Sequence, residues 1–215
     1  MYRIVFLLFS SLLLLACIDK KPARIALPYY NEPEFSPIFI QNEQDIAGKI
    51  QHQIRDFTFL DQDSNLITQK DIEGKIHVAN FIFTSCGSIC PTMTRNLKLV
   101  SDQFRGDASV VFLSYSVTPW IDKAFVLKRY KKDNQINNDQ WHFLTGNKND
   151  IYQLARTSYY AEEEIGFSKD STDFLHTEHL ILVDKNKRIR GIYNGTLSLE
   201  MKGLAEDIKN LQSEK

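Results

Sequence analysis

Residues 76–83, IHVANFIF, limit the fold more than any other stretch of this chain. Ile76, Val78, Ala79, Phe81, Ile82 and Phe83 leave little polar surface, so the run reads as a strand buried on both faces. Such a strand needs cover above and below, and the sequence supplies it. In PTMTRNLKLVSDQF, the residues Met93, Leu97, Val100 and Phe104 recur at helical spacing, with Pro91 in the first turn, where a missing N–H costs nothing. ASVVFLSYSV reads as a second buried strand, DKAFVLKRYKKD as a helix, WHFLTG as a short strand, and NDIYQLARTSYY as a helix started by Asn149 or Asp150. Upstream, IRDFTFLDQDSNLITQ alternates and breaks like a β-hairpin. Downstream, HLILVDKNKRIRGIYNG predicts a hairpin turning at Lys185–Lys187, and SLEMKGLAEDIKNLQ an amphipathic helix capped by Ser198. The order predicts an α/β domain, a mixed sheet flanked by helices with an N-terminal β-hairpin.

The 215 residues are 43% hydrophobic and 25% charged, enough for one well-filled core, and the formal net charge of −1 offers no polybasic surface, so no nucleic-acid partner is expected. Residues 1–16, MYRIVFLLFSSLLLLA, carry one early cation and then an apolar run, the pattern of a secretory signal peptide. The run ends in LLAC, which resembles the lipobox of bacterial lipoproteins and implies cleavage before Cys17 and acylation of its thiol. An uncleaved signal-anchor is the alternative. Four of the six prolines lie in residues 17–45, and residues 17–50 are expected to form the lipid anchor and a tether with little regular structure. The folded domain is then 51–215, held on the periplasmic side of a bacterial membrane, inner or outer undecided.

Setting Cys17 aside leaves Cys86 and Cys90 in a compartment that permits disulfides. Cys86 falls in the loop after the buried strand and Cys90 at the start of the next helix, where the helix dipole is expected to lower its pKa. Inert buried thiols, a structural disulfide, a redox couple and a soft-metal site are all compatible with the spacing. A short loop gains little from a disulfide, and zinc would need more ligands than the pair supplies.

FTSCGSICPTMTRNL resembles the copper-site motif of the Sco/SenC family of thioredoxin-like copper proteins: threonine, one residue, cysteine, three residues, cysteine, proline. FTFLDQDSNLI, VVFLSYSVTPWID, WHFLTG and FLHTEHLILVDKNKRIRGIYNGT extend the resemblance from about Ile54 to Gly195. It implies a thioredoxin-like fold and copper, as Cu(I) or Cu(II), held by Cys86, Cys90 and His176, with the two cysteines also a reversible dithiol. It further implies service to the oxidase subunit that carries the Cu-A centre of cytochrome c oxidase. His179 is the rival ligand, but it shares a strand face with Ile181 and Val183. His52, His77 and His142 match no motif, and Met93 reads as core. The chain departs from the family at Thr118-Pro119, where many relatives have Asp-Pro, and at Lys187, where glycine is usual; Asp122 matches the later aspartate. A metal-independent thiol-disulfide oxidoreductase or thiol peroxidase, and a copper or redox sensing module, are the competing functions.

Overall fold

The computed structural model describes residues 26–161 and 177–214. Strands β1 (Thr58–Leu60) and β2 (Leu66–Thr68) pair antiparallel as the expected hairpin, followed by the single-turn helix α2 (Gln69–Ile72). The main sheet holds β3 (Ile76–Ile82), β4 (Val110–Ser116), β5 (Trp141–Leu144), β6 (His179–Val183) and β7 (Ile189–Asn194), in the order β5-β4-β3-β6-β7. β3, β4 and β5 run parallel, whereas β6 and β7 are antiparallel to their neighbours. Every residue of β3 and β4 is buried, as continuous apolar strands at the centre of a covered sheet must be.

Alternation along the strands divides the core in two. Ile76, Val78, Ile82, Phe112, Leu180 and Leu182 face helices α3 (Ile89–Ser101), α4 (Ala124–Asp133) and α6 (Ser198–Ser213) through Leu97, Leu127 and Leu204. Ala79, Phe81, Leu113, Tyr115, Ile181 and Val183 face α5 (Lys148–Thr157) and the β1–β2 hairpin through Ile151, Leu154, Phe57 and Phe59. This is the thioredoxin-like mixed sheet with helices on both faces.

Two expected caps differ. Asn147, not Asn149 or Asp150, caps α5, because its side-chain oxygen accepts from the Asn149 and Asp150 amides. Ser198 is already helical and caps nothing; the turn before α6 is held by Asn194 Oδ1, which accepts from the amide and hydroxyl of Thr196. At the β6–β7 turn Lys187 occupies the left-handed region at φ 64°, a conformation that glycine adopts without steric cost.

Within the expected tether, residues 26–50 have little regular structure but lie against the domain. Tyr29 and Ile38 form an antiparallel bridge, Glu43–Asp45 a 3-10 turn and Ile46–Lys49 the short α1. The Arg190 side chain donates to the backbone oxygens of Leu27 and Pro28, and its guanidinium lies 4.0 Å from the centre of the Tyr29 ring. Proline density alone did not reveal this docking, because its anchor lies more than 160 positions downstream.

Candidate metal centre

β3 ends at Ile82, and the chain uses six residues, 83–88, to turn into α3. Cys86 sits in that connection, its amide donating to the Phe83 carbonyl, while Cys90 is the second residue of α3. Pro91 fits in the first turn for the reason read from the sequence: its position has no intrahelical N–H bond to lose. Both cysteines are free thiols, 9% and 3% exposed, and both belong to the apolar cluster containing Met93, Leu97, Leu180 and Leu182. Their sulfurs are within hydrogen-bonding reach of each other.

The lowered pKa expected for Cys90 is not what the fold produces. Burial pushes the Cys90 thiol up to about 12, assisted by the neighbouring Cys86 sulfur, and outweighs its place at the helix start. Burial also acts on Cys86, but hydrogen bonds from the backbone at Cys90, Ser88 and Ile89, together with the Cys90 thiol, bring it below the ordinary thiol value. The α3 N-terminus therefore serves the residue that precedes it, and Cys86 is the readier thiolate.

The loop is fixed from outside by Asp122. This fully buried carboxylate accepts from the Thr84 amide (3.1 Å) and hydroxyl (2.6 Å), the Ser116 hydroxyl (2.7 Å) and the Thr118 hydroxyl (2.9 Å). It ties the segment two residues before Cys86 to the end of β4. Thr118 gives the knot a donor; a second carboxylate there would add like-charge repulsion inside the core. Tyr130 on α4 completes the surroundings. Its hydroxyl pairs with Thr94 at 2.8 Å, one turn after Cys90, and burial raises its pKa to about 12, with the two cysteines contributing. Thr84 is the threonine of the cysteine motif, whereas Tyr130 and Ser116 were not legible as site residues, because only the fold brings their segments to it.

Cys17 and His176 lie outside the described residues. His179 begins β6 on the strand face of Ile181 and Val183, whereas the cysteines belong to the opposite face with Leu180 and Leu182. Its ring packs edge-on to Phe35, and Nδ1 is buried without a hydrogen-bond partner. His52 bonds Ser158 O and the Tyr160 hydroxyl, His77 the Tyr159 hydroxyl, and His142 the Asp61 carboxylate. Met93 is fully buried, as expected of core. Among the described residues no group of three or more His, Cys, Asp or Glu side chains converges as a metal site, and no helix is long and apolar enough to cross a membrane. Cys86 and Cys90 form a two-sulfur donor pair, the set that suits a soft ion such as Cu(I).

Solved structures share this architecture. A SCO1/SenC family lipoprotein from Bacillus anthracis is 27% identical, covering 75% of this chain and 96% of its own, with a TM-score of 0.65. BsSco, described as a member of the Sco family of cytochrome c oxidase assembly proteins and as containing a disulfide switch, is 28% identical over 76% of this chain and 95% of its own, with a TM-score of 0.64. Bradyrhizobium japonicum ScoI with copper bound is 25% identical over 75% of this chain and 99% of its own, with a TM-score of 0.59. Residues 47–213 match the SCO1/SenC family, and the chain belongs to it.

Proposed function

We propose that this protein is a lipid-anchored copper chaperone of the periplasmic face, binding copper through Cys86, Cys90 and His176 for assembly of the Cu-A centre of cytochrome c oxidase. The observation that carries the reading is the pair of buried, adjacent sulfurs at the β3–α3 junction, in a family that includes a copper-bound member and an oxidase assembly protein. Two thiolates and an imidazole suit three-coordinate Cu(I), and with a further oxygen donor they can hold Cu(II). Cys17 as the acylated residue is supported by the lipobox-like LLAC and by the relative named a lipoprotein.

The decisive experiment is anaerobic copper titration of the reduced domain with metal analysis. One copper per chain is expected. His176→Ala should weaken Cu(I) modestly but remove the thiolate-to-copper absorption of the Cu(II) form, whereas His179→Ala should leave that absorption in place. The opposite pattern would transfer the third ligand to His179. A second reading, thiol-disulfide exchange by the same pair, is favoured by the unequal thiols and by the disulfide switch of BsSco. Rapid reductase or peroxidase turnover without copper uptake would replace the chaperone reading with that one.

A further inference from the structure

Among the described residues nine large hydrophobic side chains are exposed; Phe39, Leu60, Leu66 and Leu99 are spread over the N-terminal segment, the β1–β2 hairpin and α3, and the other five gather. Trp120, Ile121, Phe125, Leu197 and Leu199 are 49–77% exposed, and all five lie where the chain leaves the edge of the sheet that carries Cys86 and Cys90. Trp120 and Ile121 belong to the segment between β4 and α4 that Asp122 ties to the cysteine loop, and Phe125 is the second residue of α4. Leu197 and Leu199 flank the start of α6, beyond the end of β7. Because the strand order is β4-β3-β6-β7, the cysteine loop at the end of β3 stands between the two groups. On the β4 side the apolar residues carry positive charge: Lys148 lies 5.2 Å from the Trp120 ring centre, and Lys123 is exposed between Ile121 and Phe125. The carboxylates of that stretch are Asp122, sealed in the knot, and Asp150 at the start of α5.

We infer that this edge is a docking surface for a protein partner with an apolar centre and carboxylates placed against Lys123 and Lys148. Exposed aromatic and aliphatic residues gathered around one opening are the pattern of an interaction patch. The cysteines at its centre are nearly inaccessible, so a group that exchanges with them must arrive on a surface pressed over this edge. A bilayer would also accept apolar and basic side chains, but it offers no soft donor to the thiols at the centre. The inference rests on the chaperone reading for the identity of the partner, the Cu-A-bearing subunit, whose soluble domain is the probe.

Trp120 gives a direct signal, since the other tryptophan, Trp141, is fully buried and donates to Ser114. Both proteins are used metal-free. Titration with the Cu-A domain should shift Trp120 emission to the blue and saturate. Ile121→Ser combined with Phe125→Ser should weaken binding at least tenfold. Lys123→Glu combined with Lys148→Glu should weaken it severalfold and abolish its salt dependence, and Phe39→Ser, exposed on the N-terminal segment, should leave it unchanged. No emission shift, or equal binding by the double serine variant, overturns the docking surface. So does a shift with vesicles containing phosphatidylglycerol in place of the Cu-A domain. Loss of copper uptake in the titration above would sink the chaperone reading while leaving this metal-free measurement intact.

Discussion

Two buried charges hold the two ends of this domain, and they are satisfied in opposite ways. Asp122, where β3 and β4 end, is surrounded by neutral donors: two hydroxyls from Ser116 and Thr118, and the hydroxyl and amide of Thr84. Arg190, where β7 begins, meets two carboxylates, with Glu214 at 2.7 and 3.0 Å and Asp184 at 3.4 Å, besides the two backbone oxygens of the N-terminal segment. A carboxylate without a cation is tolerable in a core only when its acceptor positions are filled by well-aimed donors. Asp122 therefore dictates the position of the loop that carries Cys86. Arg190 joins segments far apart in sequence and dictates whether residues 26–50 belong to the domain. One charge shapes the site, and the other secures its attachment.

The comparison can be broken by exchanging the consequences. Arg190→Ala should have the largest effect, a loss of about 4 kcal/mol, because Asp184 and the Leu27 and Pro28 oxygens lose their buried partner, while Glu214, 39% exposed, can turn to solvent. Denaturant unfolding measures it, and limited proteolysis should show faster cleavage within residues 26–50, with the alkylation rate of Cys86 unchanged. Asp122→Ala should cost about 3 kcal/mol, the upper range for leaving buried donors without an acceptor. It should also slow Cys86 alkylation, because a loop released from the knot no longer holds the Cys86 sulfur against the backbone donors at Ser88, Ile89 and Cys90 that favour its thiolate. If both variants alter Cys86 equally, the two charges do not have separate roles.

The elements themselves were legible because their signals are local. Continuous apolar runs marked β3 and β4, helical spacing marked α3, and the cysteine spacing with Pro91 placed the site at a strand-to-helix junction. The Asp122 knot was half legible. Asp122 matched a family position and Thr84 is the threonine of the cysteine motif, but Ser116 and Tyr130 carry no motif, and nothing in the sequence brings them together. The acidity of the thiols was misread because the helix-start rule sees one residue's neighbours, whereas Cys90 is governed by how deeply the fold buries it. Docking of residues 26–50 was equally invisible, since the residue responsible is on β7. Lys187 shows the reverse case: a missing glycine was noticed in the sequence, and the structure keeps the left-handed turn with lysine in it.

A third buried group sharpens the contrast because it avoids charge altogether. His77 lies on β3, 1% exposed, with Nε2 3.0 Å from the Tyr159 hydroxyl, which in turn lies 3.2 Å from the Tyr115 hydroxyl. Neither tyrosine can neutralise an imidazolium, and burial lowers the His77 pKa to about 3. The folded protein thus keeps His77 neutral, while the unfolded chain takes up a proton below its ordinary value of about 6.5. The sign follows: this contribution to stability is complete above pH 6.5 and is lost progressively as pH falls towards 3. At pH 5 the loss is about 2 kcal/mol, the free energy of one and a half pKa units. His52 and His142, also lowered chiefly by burial, add acid sensitivity of the same sign, so the measurement must be a difference between variants. His77→Gln keeps a polar partner for Tyr159 but cannot titrate in this range. Its unfolding free energy should be lower than that of the parent at pH 7, and the gap should narrow by about 2 kcal/mol at pH 5. Parallel stability curves for the two proteins between pH 7 and 5 would show that His77 is charged in the fold, with a counter-charge that its two tyrosine neighbours do not supply.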